Sequence, residues 1–110
     1  DLLNRLNHVV AISPITDLRP LLKTSMNKKF KLNYSTAEQE SPVFHTKMNV
    51  PFSVFVGENE RPAFLSQAKY LSQAWSCSKI TAKGKHHFNV LDDLENEKSD
   101  LVNLLTKTCR

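Results

Sequence analysis

Two short stretches of this chain carry residue types that can move a proton. His86 and His87 stand side by side after Gly84 and before Phe88, in a chain of 110 residues with four histidines. Glu58 and Glu60 follow Gly57, the other of the two glycines in the chain. A carboxylate from one stretch and an imidazole from the other would make a proton-transfer pair. The carboxylate accepts the Nδ1–H, fixes the tautomer and stabilises the imidazolium as it forms, while Nε2 takes a proton from a nucleophile. By residue type alone the acid is Glu58 or Glu60, and the base is His86 or His87. A solvated loop carboxylate and a plain loop histidine are the bland alternatives.

Such a pair needs a scaffold that brings the two stretches together. Val50–Asn59 reads as a strand with Val54, Phe55 and Val56 at its centre, and Ser78–Gly84 as a weaker one centred on Ile80. His8–Ser13 (HVVAIS) reads as a third, ended by Pro14 and the Thr16-Asp17 pair. Short, apolar, β-branched runs of this kind mark buried parallel strands. Pro62 opens a helix whose apolar face is Phe64, Ala68, Leu71 and Trp75, opposite Gln67, Lys69 and Gln73. Phe64, Leu71 and Trp75 are expected in the core. The pattern FNVLDDL after the histidines predicts a further helix, and Ser99 is an N-cap for a last one that buries Leu101, Val102, Leu104 and Leu105.

The region from Leu18 to about Val50 is more polar and irregular. It holds one short helix around Leu18, Leu21 and Leu22, and another that starts at Ser35–Glu38 and stops at Ser41-Pro42. The whole order predicts an α/β chain of three parallel strands alternating with helices, joined by right-handed crossovers. Functional groups in open parallel sheets gather at the carboxyl ends of the strands. Both candidate stretches lie there. Asp17, near another strand end, is expected to cap its loop. His8 and His45 have no partner identifiable from sequence.

Composition removes several function classes. The formal charge is +4, but the basic residues are dispersed apart from Lys28-Lys29, Lys31 and the Lys83/Lys85 pair. With no Arg-rich stripe and no aromatic–basic interleaving, no nucleic-acid partner is expected. Cys77 and Cys109 are the only cysteines, with no C-x-x-C and no Cys/His cluster at zinc spacing, so no metal is expected. Isolated cysteines fit a reduced, cytoplasmic setting. No apolar run reaches the roughly 18 residues of a membrane span. DLLNRLNHVV lacks both the basic and the apolar region of a signal peptide. The chain lacks an initiator Met, and three strands leave two open edges. Residues 1–110 are therefore expected to be the C-terminal fragment of one larger α/β domain.

The α/β-hydrolase triad runs Ser, then Asp/Glu, then His. This chain supplies the second and third members in that order, on consecutive strand ends. It has no G-x-S-x-G elbow and no HGGG-type oxyanion loop, so the nucleophile-bearing part is expected upstream of Asp1.

Four segments in order resemble the C-terminal portion of the arylformamidase (kynurenine formamidase) family of α/β-hydrolases. AISPITDLRPLL, Ala11–Leu22, resembles its strand with a small-residue turn and an Asp-Leu pair. TSMN and AEQESPV resemble the helical stretch that follows. VFVGENERPAFLSQA, Val54–Ala68, resembles its acid loop, and GKHHFNVLDDL its His loop. The resemblance implies Glu60 as the triad acid, two positions before Pro62, and His87 as the base, directly before Phe88. Glu58 is the runner-up acid, and His86 shapes the loop. The family usually has Asp at the acid position. Glu is one methylene longer, so its loop is expected to sit back by about 1 Å to keep the hydrogen bond.

The implied activity is hydrolysis of N-formyl-L-kynurenine to kynurenine and formate, in tryptophan breakdown. No metal or organic cofactor is required, the partner is a small-molecule substrate, and a homodimer stays open. A carboxylesterase or lipase-like enzyme with another acyl substrate is the alternative on the same fold. A truncated, non-catalytic chain is the alternative from another class.

Overall fold

A computed structural model of the chain describes residues 2–106, so Asp1 and Cys109 lie outside them. Strand β2, Phe52–Gly57, is the middle of a three-stranded parallel sheet in the order β1-β2-β3, between β1, Val9–Ile12, and β3, Ser78–Ala82. Its register sets Ala11 and Ile12 against Val54 and Phe55, and Phe55 and Gly57 against Ile80 and Ala82. The three strands therefore end close together.

Successive side chains of β2 leave on opposite faces, and both faces are covered. Val54 and Val56 pack with Val43, Ala68 and Leu71 on one side. Phe55 packs with Val90 and Leu101 on the other. A strand buried on both faces has no polar side to alternate with, which is why its sequence is nearly continuous apolar. The outer strands are less buried than β2.

Helix α3, Pro62–Ala74, lies against β2 with Ala68 and Leu71 buried, and Leu65, Trp75 and Cys77 packed around them. Phe64 departs from the expected core face. It sits in the first turn of α3, beside the strand ends, and stacks on His87 instead. Gln67 departs from the expected solvent face. Its Oε1 accepts the amides of Thr16 and Asp17 at 2.9 and 2.8 Å, and its Nε2 donates to the Asp17 carbonyl at 2.9 Å. One side chain thus clamps the loop after β1 onto α3. Removing it leaves two amides unpaired, at a cost of about 2–3 kcal/mol.

The crossover from β1 to β2 holds a 3₁₀ turn at Arg19–Lys23, helix α1 at Asn27–Phe30 and helix α2 at Tyr34–Gln39. The cap of α2 is Asn33 rather than Ser35. Its side chain accepts the Thr36 amide while the Thr36 hydroxyl accepts the Asn33 amide, a reciprocal capping box. Asp17 caps as expected: its Oδ1 accepts the Arg19 amide, and the Arg19 guanidinium pairs with both oxygens.

After the histidines the expected helix is replaced by turns and a 3₁₀ segment at Asp92–Glu95. Val90 alone of this stretch is buried, so there is no continuous apolar stripe to support a longer helix. Ser99 does cap the last helix, α4, Asp100–Thr106, through the Val102 amide. Leu101 is fully buried, whereas Val102 and Leu104 are half-buried and Leu105 is exposed. Among the described residues, no helix is long and apolar enough to cross a membrane.

Candidate functional site

The acid and His stretches meet at the carboxyl edge of the sheet because their backbones are stitched together. The Glu58 amide donates to the Ala82 carbonyl at 2.9 Å and the Asn59 amide to the Lys85 carbonyl at 2.8 Å. The Gly84 amide donates to Glu58 Oε1 at 3.1 Å. Gly57 makes this approach possible. A Cβ there would lie 2.5 Å from the Lys85 carbonyl oxygen, a backbone atom that cannot swing away. Gly84 serves a different need: its φ of +74° suits the turn between β3 and the histidines, and the space around it is open.

Glu60 then folds back over its own turn. Its Oε2 accepts the Gly57 amide and the Ser13 hydroxyl, each at 2.6 Å, and its Oε1 lies 2.8 Å from His87 Nδ1. The Glu60 side chain is 0% exposed and that of His87 is 39% exposed. A buried group thus orients one that can reach a ligand. Burial by itself would raise the Glu60 carboxyl. The hydrogen bonds from the Ser13 hydroxyl, the Gly57 amide and the His87 ring outweigh it and hold the carboxyl below its ordinary value. An ionised carboxylate only accepts, so His87 Nδ1 carries the proton and Nε2 of the neutral ring is the acceptor.

The ring of His87 is held on its faces as well. Phe64 stacks on it at 4.3 Å between centroids with planes 21° apart, and Phe88 meets it edge-on at 5.5 Å. These groups line an open groove of about 490 Å³, together with Asn59 and Arg61. Phe88 is 91% exposed on this groove, so its ring is available to whatever binds there.

Of the other residues singled out from sequence, His86 also lines the groove, and the rest fall elsewhere. Glu58 is exposed and turned toward Gly84, so it does not contact His87 by any described bond. His86 builds the turn: its amide donates to Asn89 Oδ1 at 2.7 Å, and its Nδ1 accepts the Phe88 amide at 3.0 Å. His8 pairs with the Ser53 hydroxyl and His45 with the Gln39 carbonyl, both away from the groove. Asp17 is held below the ordinary carboxylate range by its hydrogen bond from Arg19. Burial pushes the Cys77 thiol up, against activation as a nucleophile. Among the described residues, no group of three or more His, Cys, Asp or Glu could hold a metal ion.

Three contributors escaped the sequence reading. Ser13 ends β1 at the same sheet edge, and the strand-end rule applied to Glu58 and His86 points to it equally. The roles of the Gly57 amide and of Gln67 are set by contacts between distant segments and leave no local signal.

No family model matches the chain, and no curated protein does. Among solved structures, a protein of Silicibacter sp. TM1040, provisionally named a thioesterase, is 49% identical with a TM-score of 0.91. The match covers 94% of this chain and 40% of that one. Thermogutta terrifontis esterase 2, in its form phosphoramylated by tabun, matches at 14% identity with a TM-score of 0.54, over 92% of this chain and 43% of that one. The chain thus spans about two fifths of the length of each. Over that span its three parallel strands and intervening helices have the arrangement of α/β-hydrolase-like proteins.

Proposed function

We propose that the protein is an α/β-hydrolase that cleaves acyl bonds, with His87 as its proton-transfer group and Glu60 as the residue that orients it. One observation carries this reading: a fully buried, ionised carboxylate lies 2.8 Å from the Nδ1 of a partly exposed histidine at the carboxyl edge of a parallel sheet. Perturbed, buried carboxylates paired with an accessible histidine in a groove are the usual mark of acid–base machinery.

In this reading a serine hydroxyl, supplied by a segment other than residues 2–106, adds to the substrate's acyl carbon. Its proton passes to His87 Nε2. The imidazolium hands that proton to the leaving amine, alcohol or thiol as the acyl bond breaks. Water then repeats the sequence on the acyl-serine, with His87 again taking and returning one proton. Glu60 stays ionised throughout and stabilises each imidazolium. The sequence of steps requires no metal or organic cofactor.

The finer reading is an arylformamidase that converts N-formyl-L-kynurenine to kynurenine and formate. It is supported by the resemblance of the strand, helical, acid-loop and His-loop segments to that family. A second reading, thioester hydrolysis, is favoured by the 49% identity to a protein provisionally named a thioesterase. The test is to assay the whole protein on N-formyl-kynurenine, a simple aryl ester and an acyl thioester, with and without His87→Ala. Preference for the formamide, lost in the variant, supports the first reading, and preference for the thioester the second. Hydrolysis of all three that is indifferent to His87→Ala defeats both.

A further inference from the structure

Ser13 has two features that a plain loop serine lacks. Its φ is 48°, in the left-handed region that non-glycine residues rarely occupy. Its hydroxyl is buried and donates at 2.6 Å to Glu60 Oε2, across 47 residues of sequence. Such backbone conformations persist where the surroundings force them, and they cluster at functional sites. Here the forcing groups are visible. The Ser13 amide donates to the Phe55 carbonyl at 2.8 Å, and three residues later Gln67 clamps Thr16 and Asp17 to α3. The chain turns sharply between these two anchors, and the turn aims Oγ at the carboxylate.

The geometry of the carboxylate makes this contact consequential. Two donors, Ser13 Oγ and the Gly57 amide, occupy Oε2 and leave Oε1 for His87. The Gly57 amide is part of the same turn as Glu60 and moves with it. Ser13 follows β1, so among the donors to Oε2 it is the one that ties the carboxylate to the neighbouring strand end. A Glu side chain has one more rotatable bond than Asp and needs such an anchor if its outer oxygen is to stay in place.

We propose that Ser13 is a positioning residue for the Glu60–His87 pair, its hydroxyl fixing the carboxylate so that Oε1 faces His87 Nδ1. In its kinetic consequence this rests on the hydrolase reading above. In its geometry it does not. Without the hydroxyl, Oε2 keeps only the Gly57 amide, the carboxylate swings, and its negative charge is less well compensated. Oε1 then no longer faces His87 Nδ1 steadily, and the ring loses part of the contact that orients it. His87 is the titratable side chain bonded to this carboxylate; Glu58, on the same loop, is bonded to Gly84 instead, and Arg61 lines the groove beside it.

The test uses the whole protein with Ser13→Ala and Ser13→Gly. Glycine takes a φ near 48° without penalty, so Ser13→Gly separates loss of the hydroxyl from backbone strain. Two readouts are taken: the NMR resonance of the His87 Nδ1 proton, and the separate values of kcat and KM. The expected result is the same in both variants. The Nδ1 proton resonance shifts upfield or broadens. Turnover falls about 10-fold with KM within about two-fold. An unmoved resonance together with wild-type turnover in Ser13→Gly overturns the proposal. A moved resonance with turnover unaffected by His87→Ala shows instead that the hydrolase reading is at fault, and it overturns the kinetic part of the proposal alone.

Discussion

At the amino end of the sheet, His8 Nε2 lies 2.9 Å from the Ser53 hydroxyl, which lies 2.8 Å from the Ser78 hydroxyl. At the carboxyl end, the Ser13 hydroxyl, the Glu60 carboxylate and the His87 ring form a second row, again one residue from each strand or the loop beyond it. Both rows join a histidine to serine across the three strands. The first contains a Ser–His contact at hydrogen-bond distance, yet Ser53 is 2% exposed within β2, so no acyl group reaches its hydroxyl. The second contains a buried charge, a left-handed serine and a glycine against which foreign backbone packs. A serine–histidine distance therefore identifies nothing by itself. Access and a buried, compensated carboxylate separate a stitch from a proton-transfer site.

The largest expected difference between the two ends is in activity. On the proposed hydrolase reading, His87→Ala should lower kcat/KM of the whole protein by about 10⁴- to 10⁶-fold, the range for losing a triad base or the group that orients it. His8→Ala should stay within about three-fold. Steady-state hydrolysis of the best acyl substrate checks both, and equal losses would erase the distinction.

The two glycines sharpen the comparison within the carboxyl end. Gly57→Ala drives a methyl into the Lys85 carbonyl and should cost about 3 kcal/mol, because the acid and His loops must separate. Gly84→Ala meets open space and should cost only about 1 kcal/mol, from its positive φ. Denaturant unfolding of the two variants measures this. A costlier Gly84 variant would mean that the close approach is softer than the structure implies.

A smaller effect appears in pH dependence. The Glu60 carboxyl titrates below its ordinary value of 4.5 in the folded chain. As pH falls below that value the unfolded state binds the proton first. Glu60 thus contributes stability that is full above about 4.5 and is lost as pH drops through its lower folded value. Unfolding free energy measured from about pH 6 down to about pH 3 should decline more steeply in the unaltered protein than in Glu60→Gln. Parallel declines would show that the three donors do not favour the charge. The smallest effect belongs to the other end: Ser53→Ala should cost about 1 kcal/mol of stability and leave hydrolysis unchanged.

Much of this architecture is written locally. Continuous apolar residues in Val54–Val56, Pro62 at a helix start and Ser99 at another each dictate an element through near-neighbour chemistry, and all three appear where expected. Phe64 and Gln67 do not take the environments that the helical spacing of α3 predicts. Helical periodicity marks a face but cannot know that the first turn overhangs a neighbouring loop, or that a glutamine will satisfy foreign amides. The stretch after the histidines failed as a helix because one buried valine does not make a stripe.

The sequence by itself determined which residues could do chemistry and, through the order of strands, at which edge they would collect. Residue types leave Glu58 or Glu60 and His86 or His87 open, and the resemblance points to Glu60 and His87; only the tertiary structure brings that carboxylate to that ring. That meeting turns on where a carbonyl from another loop comes to rest. The Lys85 carbonyl against Gly57 sets the spacing of the two loops, and Ser13 from a third segment supplies the second donor to Glu60 Oε2. Contacts of that kind join residues tens of positions apart. Their energies depend on distances of a few tenths of an ångström, which no local pattern encodes.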